Sequence, residues 1–351
     1  MAKAETKSMN KSGPRRLVTI SIPTYNESEN IKRLISRLQE TADTLPQYDF
    51  EFLFTDNASE DDTFAILAEM AKSEPRIRAL RLSRNFGFQR SILTNFLNAK
   101  GDCAIQIDAD LQDPPELFPE FLKRWEEGYS VVYGVRKNRK ESKLEQSFRK
   151  IGYRIIRYLS EISVPNDAGD FRLIDRKIIE QLRTIEDQTP YLRGLIASFG
   201  YAQTGIPYER DKRMAGESKF KPIALIRLGV DGIASQSVRP LRLLSYVGVI
   251  FGLFSIALIA YYLVQYLFMG GEGARGFTTL AILVLISTTV NAIGLGIMGE
   301  YLGRVFNNSR RLPIAIIDQR IEPLPAGDVA QTKTMESGST SKDSPKSKKG
   351  R

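Results

Sequence analysis

Histidine is missing from this sequence altogether, and cysteine occurs once, as Cys103. Without an imidazole the chain cannot build a Ser-His-Asp triad or a Cys-His dyad. With one thiol and no imidazole it cannot close an ordinary structural zinc site, so any metal must be held by oxygen. Carboxylate and carbonyl ligands favour Mg2+, Mn2+ or Ca2+. One cysteine forms no internal disulfide, so nothing points to an oxidising compartment. The first sixteen residues, "MAKAETKSMNKSGPRR", hold no apolar run, and no signal peptide is expected from them.

Core-forming residues, by contrast, are plentiful: 42% of the 351 residues are hydrophobic, enough for one large domain or two ordinary ones. The net charge of +9, from 50 basic against 41 acidic residues, suits an anionic partner such as a nucleotide, a phospholipid surface or nucleic acid. Short β-branched or apolar runs at 16–23, 50–56, 77–83, 103–108 and 130–136 alternate with helix-like stretches at 28–42, 60–73, 89–99 and 115–127. That alternation predicts βαβ units on a mostly parallel, Rossmann-like sheet. Ligands of such sheets gather at the carboxyl ends of the strands. The polar motifs lie there: "PTYNE" after the first run, "DNASED" after the second and "DADLQDPPE" after the fourth.

Beyond residue 221 the character changes. Residues 222–240 carry Ile223, Ile226, Val230 and Ile233 at near-helical spacing, as expected of a helix lying on a membrane surface. Residues 243–269 hold no charge, and neither does the stretch from Phe277 to Met298. Each exceeds the roughly 20 residues that cross a bilayer, and the short "GGEGARG" between them makes a hairpin. Arg239 and Arg242 precede the first span and Arg304, Arg310 and Arg311 follow the second, against Arg275 in the turn. The positive-inside rule then puts the N-terminal domain and both termini in the cytoplasm. Gly248 with Gly252, and Gly299 with Gly303, form Gly-x-x-x-Gly pairs that allow close helix packing, and the reading leans towards a homo-oligomer. The expected organisation is a flexible start (1–15), an α/β domain (16–221), an amphipathic interface helix (222–240), a two-span hairpin (241–310) and a mostly disordered cytoplasmic tail (311–351).

The densest chemistry is "IDADLQDPPE" at 107–116. Like charges packed this closely repel, so something positive must sit among them. Side chains two apart on an extended segment share a face, so Asp108 and Asp110 point into one pocket, where they can hold a divalent cation. Asp113 and Glu116 serve equally well as caps of a helix starting near Pro114 and Pro115.

The ordered set "SIPTYNESENI", "DNASEDDT", "RNFGFQRS", "DADLQDPPE" and "GDFRL", followed by a membrane hairpin, resembles the family-two inverting glycosyltransferases of GT-A fold. Within them it is most similar to the polyprenyl-phosphate sugar transferases: dolichol-phosphate mannosyl synthases and, because of the two spans, bacterial bactoprenol (undecaprenyl-phosphate) glucosyltransferases. The resemblance covers roughly residues 16–310. It implies that Pro23, Tyr25, Glu27, Asp56 and Asp108 bind the nucleotide, and that Asp108, Asp110 and Gln112 hold Mg2+ or Mn2+ on its diphosphate. It implies Asp170, with Asp167 second, as the base or acceptor-orienting acid. Arg210, Arg213 and Lys219 would grip donor and lipid phosphates; Arg193 could equally pin the domain together.

The expected activity is metal-dependent, inverting transfer of one sugar to polyprenyl phosphate at the cytoplasmic membrane face. UDP-glucose is the favoured donor, with GDP-mannose or a UDP-linked modified arabinose as alternatives. A processive polysaccharide synthase is disfavoured, because the one tryptophan, Trp125, stands in "FLKRWEEG" rather than Q-x-x-R-W, and two spans are too few for a polymer channel. A non-catalytic, membrane-tethered binding protein is opposed by the intact D-x-D and "GDFRL". No nucleic-acid partner is expected, since no aromatic-basic reading surface is present.

Overall fold

A computed structural model describes residues 15–137, 168–188, 190–210, 237–268 and 276–322. The expected interface helix therefore lies almost entirely outside the described residues, as do the chain's first fourteen residues and everything after Glu322.

Four parallel strands form the centre. They are β1 (Arg16–Thr24), β2 (Tyr48–Asp56), β3 (Ile77–Leu82) and β4 (Cys103–Gln106), with β1 between β2 and β4. Their side chains are buried on both faces, so that "FLF" of β2 is continuously apolar and even the polar Thr19 and Ser21 that alternate with Val18, Ile20 and Ile22 in β1 are buried. Three helices make the crossovers: α1 (Ser28–Asp43), α2 (Thr63–Ser73) and α3 (Phe88–Asn98). In α1, Ile31, Leu34, Ile35 and Leu38 recur at helical spacing and are fully buried, so this helix is held by its apolar stripe rather than by a side-chain cap. Between α3 and β4 only glycine fits at Gly101, because a Cβ would meet Cys103 O at 2.6 Å and Thr19 N at 2.7 Å.

The rest of the sheet is mixed. A short 3-10 turn (Pro115–Leu117) leads into α4 (Phe118–Glu126) and then β5 (Val131–Lys137). Strand β6 (Ala168–Asp175) runs antiparallel between β4 and β5. Helices α5 (Arg176–Arg183) and α6 (Leu192–Ser198) follow, and β7 (Gln203–Glu209) pairs with β5 at one edge.

Two long apolar helices come next, α7 (Arg239–Phe268) and α8 (Phe277–Ser309). Both are long and apolar enough to cross a membrane, over Arg239–Leu258 and Leu283–Ser309, and most of their large side chains are exposed. They pack on each other where Leu244 lies against Gly294. The Gly-x-x-x-Gly pairs, by contrast, have no described atom within 4 Å of a Cβ built on them.

One element lies within the tail that was expected to be mostly disordered. Ile317–Ile321 forms β8, which pairs antiparallel with β3 and completes an eight-stranded sheet of order β7-β5-β6-β4-β1-β2-β3-β8. Ile317 and Ile321 are the less exposed ends of an otherwise exposed strand, and Ile321 stands opposite Ala79 of β3. An ion-pair chain adds to it: buried Arg78 of β3 donates to Glu51 of β2 at 2.9 Å and to Glu322 at 2.9 Å.

Candidate active site

The carboxyl ends of β1 and β2 finish level, with Thr24 opposite Asp56. Two of the loops that follow are tied together. The Asn26 N–H donates to Ser59 Oγ at 2.9 Å, the Glu60 N–H to Asn26 Oδ1 at 2.9 Å and the Glu27 N–H to Thr63 Oγ1 at 2.9 Å. Asn26, Ala58 and Leu111 adopt left-handed φ values of 53°, 59° and 60°. Non-glycine residues rarely hold that conformation, and here all three stand in loops at the carboxyl ends of the central strands. Pro23 is buried at the end of β1, Tyr25 and Glu27 are half-buried beside it, and Glu27 Oε2 accepts from Asn30 at 2.6 Å. Asp56 is wholly buried, and both its oxygens receive the Ser59 N–H, at 3.2 and 3.3 Å. Burial raises its pKa, against the hydrogen bonds from Ser59 and the charge of Arg81.

Past β4 the acidic segment folds around a cation of the chain's own. Arg210, at the end of β7, approaches Asp108 at 3.6 Å, Asp110 at 3.7 Å and Asp113 at 3.1 Å. Asp113 is buried, and its Oδ1 also accepts from the Tyr208 hydroxyl at 2.5 Å, while its Oδ2 is buried without a partner. Glu116 points elsewhere, to a bidentate pair with Arg37 at 2.8 Å. The capping role expected for Asp113 and Glu116 is therefore not what they do: neither caps a helix, because each has a guanidinium within reach. Gln112 donates its N–H to Asp110 Oδ1 at 3.2 Å, which keeps it within the turn.

Among the described residues, three carboxylates stand against one guanidinium in this pocket. Burial and the charges of Asp113, Asp170 and Asp110 push the Asp108 carboxyl up to about 7, against Arg210. Among the described residues no three acids close into a ready-made metal cage. The donor set still fits a hard divalent cation. It supplies carboxylate oxygens of Asp108 and Asp110 gathered on one side of Arg210 and, among the described residues, an orphaned buried oxygen of Asp113. Mg2+ and Mn2+ of this kind usually take few protein ligands and complete their shell with phosphate and water.

Next to the acidic pocket lies a basic one. Asp170 of β6 is buried and forms a two-pronged pair with Arg193 of α6, at 2.8 and 2.6 Å. Burial alone would raise its pKa, but Arg193, Arg172 and Arg136 outweigh that and hold it at about 2. Arg172 is buried and donates to Gly169 O at 2.8 Å, and its own pKa falls to about 10 through burial, with Asp170 opposing and Arg193 adding to the fall. The Nε of Arg136 is buried without a partner. Among the described residues, three guanidiniums thus act on one carboxylate beside the acidic pocket.

Of the residues singled out in the sequence, Pro23, Tyr25, Glu27 and Asp56 gather at the ends of β1 and β2. Asp108, Asp110, Gln112 and Arg210 gather beyond β4, and Asp170 stands on the neighbouring β6. Asp167, Arg213 and Lys219 lie outside the described residues. Sequence reasoning passed over Arg136, Arg172 and Tyr208. A signal for Arg172 was present, since an arginine inside the apolar alternation of "DFRLI" is out of place unless it meets an acid.

The sequence pattern of "Glycosyl transferase family 2" matches residues 19–183. The glycosyltransferase YkcC of Bacillus subtilis (strain 168) is 35% identical over 303 residues, covering 86% of this chain and 93% of that protein. The bactoprenol glucosyl transferase of Shigella phage SfV is 31% identical over 301 residues, covering 86% of this chain and 97% of its own. Among solved structures, the mannosyltransferase PcManGT of Pyrobaculum calidifontis, in complex with GDP-Man and Mn2+, is 16% identical with a TM-score of 0.41, over 80% of this chain and 87% of that one.

Proposed function

Because this chain belongs to glycosyl transferase family 2, we propose that it moves one sugar from a nucleotide donor to a polyprenyl phosphate at the cytoplasmic face of a membrane. The observation that carries the reading is the pairing of an acidic pocket around Asp108, Asp110 and Asp113 with a basic one around Asp170, Arg172 and Arg193. A nucleotide sugar brings a diphosphate that needs a cation, and a lipid phosphate brings an anion that needs guanidinium groups. The bactoprenol glucosyl transferase likeness supports glucose as the sugar and UDP-glucose as the donor.

In this reading Pro23, Tyr25, Glu27 and Asp56 hold base and ribose. Asp108, Asp110 and Gln112 hold Mg2+ or Mn2+, which when bound neutralises the departing diphosphate. Arg210 turns from the carboxylates to the donor phosphates, with Arg213 and Lys219 adding charge from the segment that follows it. Arg193, Arg172 and Arg136 orient the acceptor phosphate, with Asp170 fixing the guanidinium beside it.

Asp170 acts by position rather than as a base. Its ion pair keeps it deprotonated but a weak proton acceptor, and Asp167 is the alternative acid. A phosphate monoester has a second pKa near ~6 and arrives largely ionised, so no strong base is required. One acceptor oxygen attacks the anomeric carbon as the bond to the nucleotide diphosphate breaks, and the leaving group takes the electron pair. A single in-line displacement of this kind inverts the anomeric centre. The apolar helices α7 and α8 keep the pocket near the bilayer, which the prenyl chain leaves only at a cost of about 0.8 kcal/mol per CH2 exposed.

The test is sugar transfer in membranes containing the full chain, comparing labelled UDP-glucose with GDP-mannose, with and without EDTA, and with Asp110→Ala. A labelled, organic-extractable lipid made from UDP-glucose, and lost on chelation and in the variant, is the expected result. A lipid made from GDP-mannose alone would replace glucose by mannose. No lipid product from either donor, with folded protein and lipid phosphate present, would point first to another donor, and failure with that donor too would overturn the transferase reading.

A further inference from the structure

The loop between β3 and α3, residues 83–87, lies at the same end of the sheet as the candidate site. It is tied to that site through Asn57, the residue after Asp56. Asn57 Oδ1 accepts the Phe86 N–H at 2.8 Å, and Asn57 Nδ2 donates to Asn85 Oδ1 at 2.8 Å. On its other side the loop is tied to the chain leaving α8. The Ser83 N–H donates to Ile316 O at 2.9 Å, and Arg90 reaches Ile314 O at 3.5 Å and Gln188 O at 2.9 Å. Gln188 in turn receives Asn308, whose Oδ1 accepts the Gln188 N–H at 3.0 Å. The segment 310–316 therefore runs from the end of an apolar helix directly past the mouth of the site.

This junction has the composition of a surface that water covers poorly. Phe88 is 41% exposed, Leu312 48% and Ile316 52%. Phe88 stands in the first turn of α3, where side chains tilt towards the helix N-terminus and so away from the sheet. Among these apolar groups stand exposed Arg84, Arg310 and Arg311, none with a carboxylate partner among the described residues. Arg84 lies 4.0 Å above the Phe86 ring and donates to Asn85 O at 3.2 Å. The acids nearby are Asp187, which acts electrostatically on Arg90, and exposed Asp318 of β8.

We propose that Arg84 and Phe88, with Arg310, Arg311, Leu312 and Ile316, form a membrane-contact surface that seats on anionic lipid headgroups. Two features select this occupant. The surface continues from α8 without a break, and its mixture of half-exposed apolar groups and unpaired arginines matches the boundary between headgroups and acyl chains. Seated there, the loop holds Asn57 and the nucleotide end of the site at a fixed height above the bilayer. The inference rests on the reading of α7 and α8 as membrane spans.

The lone Cys103 is fully buried, so a cysteine placed on the surface takes a nitroxide label selectively. Full-length Phe88→Cys is labelled in vesicles of phosphatidylglycerol and phosphatidylcholine, alongside Leu253→Cys in α7 and Lys72→Cys at the far end of the sheet. These two reference side chains are well exposed, at 63% for Leu253 as a residue and 70% for the Lys72 side chain. Accessibility to oxygen relative to a nickel chelate rises with depth in lipid. The expected ratio at position 88 is several-fold above position 72 and below position 253. It should fall towards the water value when Arg84→Glu and Arg311→Glu are combined with the label. Ser83→Cys, which keeps Phe88, guards against loss of the anchor by the substitution itself.

A water-like ratio at both 83 and 88, with 253 deep in lipid, overturns the proposal and leaves the spans standing. Water-like ratios at 253 as well overturn both. Low accessibility to both reagents at 88, with dipolar broadening between labels, overturns the lipid assignment in favour of a second copy of the chain.

Discussion

Arg210 shows how the acidic segment tolerates its own charge: its guanidinium stands within reach of Asp108, Asp110 and Asp113. If the cation and Arg210 compete for the same oxygens, Arg210→Ala should bind Mn2+ about tenfold more tightly in the absence of nucleotide, or ~1.4 kcal/mol. The same variant should transfer sugar more slowly, because the diphosphate loses a partner. Paramagnetic resonance of free Mn2+ reads the first effect and product formation the second. A second prediction concerns Arg193. The depressed pKa of Asp170 means the pair favours the folded state fully above the ordinary carboxylate value of 3.8, and that contribution fades as pH falls towards about 2. In Arg193→Gln, burial is left less opposed and the Asp170 pKa rises. The acidic limb of its pH–rate profile should then lie at higher pH than the parent's. At this scale the sequence was legible where charge was conspicuous. Four acids within "IDADLQDPPE" demanded a counter-charge. That the counter-charge is Arg210, about a hundred residues away, depends on β7 lying at the sheet's edge beyond β5, and no local pattern encodes that. Arg136 and Arg172 were missed for the same reason: each is one basic residue in an apolar strand until β5 and β6 pair.

The central elements were close to readable from periodicity. Short β-branched or apolar runs marked β1 to β4, and the positions of α1 to α3 followed from the helix-like stretches between them. Strands β6, β7 and β8 were not foreseen. Strand β6 carries Asp170 and Arg172, whose polarity hides a strand until they are seen to face each other's charge. Strand β8 is exposed along most of its length and is specified by its partner rather than by its own residues. Between these elements the tightest constraint is Gly101, where any Cβ would strike backbone atoms of β1 and β4. Gly101→Ala should therefore cost about 1–3 kcal/mol by forcing the two strands apart, read as a lowered Tm or denaturant midpoint. An unchanged midpoint would mean that the α3–β4 turn yields more easily than its contacts imply.

Over the whole molecule, a sheet and a pair of apolar helices share one chain, and the chain enters the sheet on both sides of those helices. The first seven strands precede α7, and the eighth follows α8. A truncated chain ending before Arg239 should accordingly retain the central strands yet lose the Arg78–Glu322 contact and leave the β3 edge unpaired. Exposed edges of this kind template association with other chains. The expected outcome is a less stable protein that aggregates, measured by thermal unfolding and light scattering, and improved when a peptide covering 312–322 is added.

The return of β8 also sets a timetable for synthesis. Arg78 and Glu322 are separated by 244 positions, so the strand that completes the sheet leaves the ribosome only after both apolar helices have been made. At about 5–20 residues per second, β3 waits for its outer neighbour for tens of seconds. Under the proposed reading of α7 and α8 as membrane spans, that interval lets both helices reach the bilayer before the sheet is sealed, so that insertion precedes the last strand of the fold.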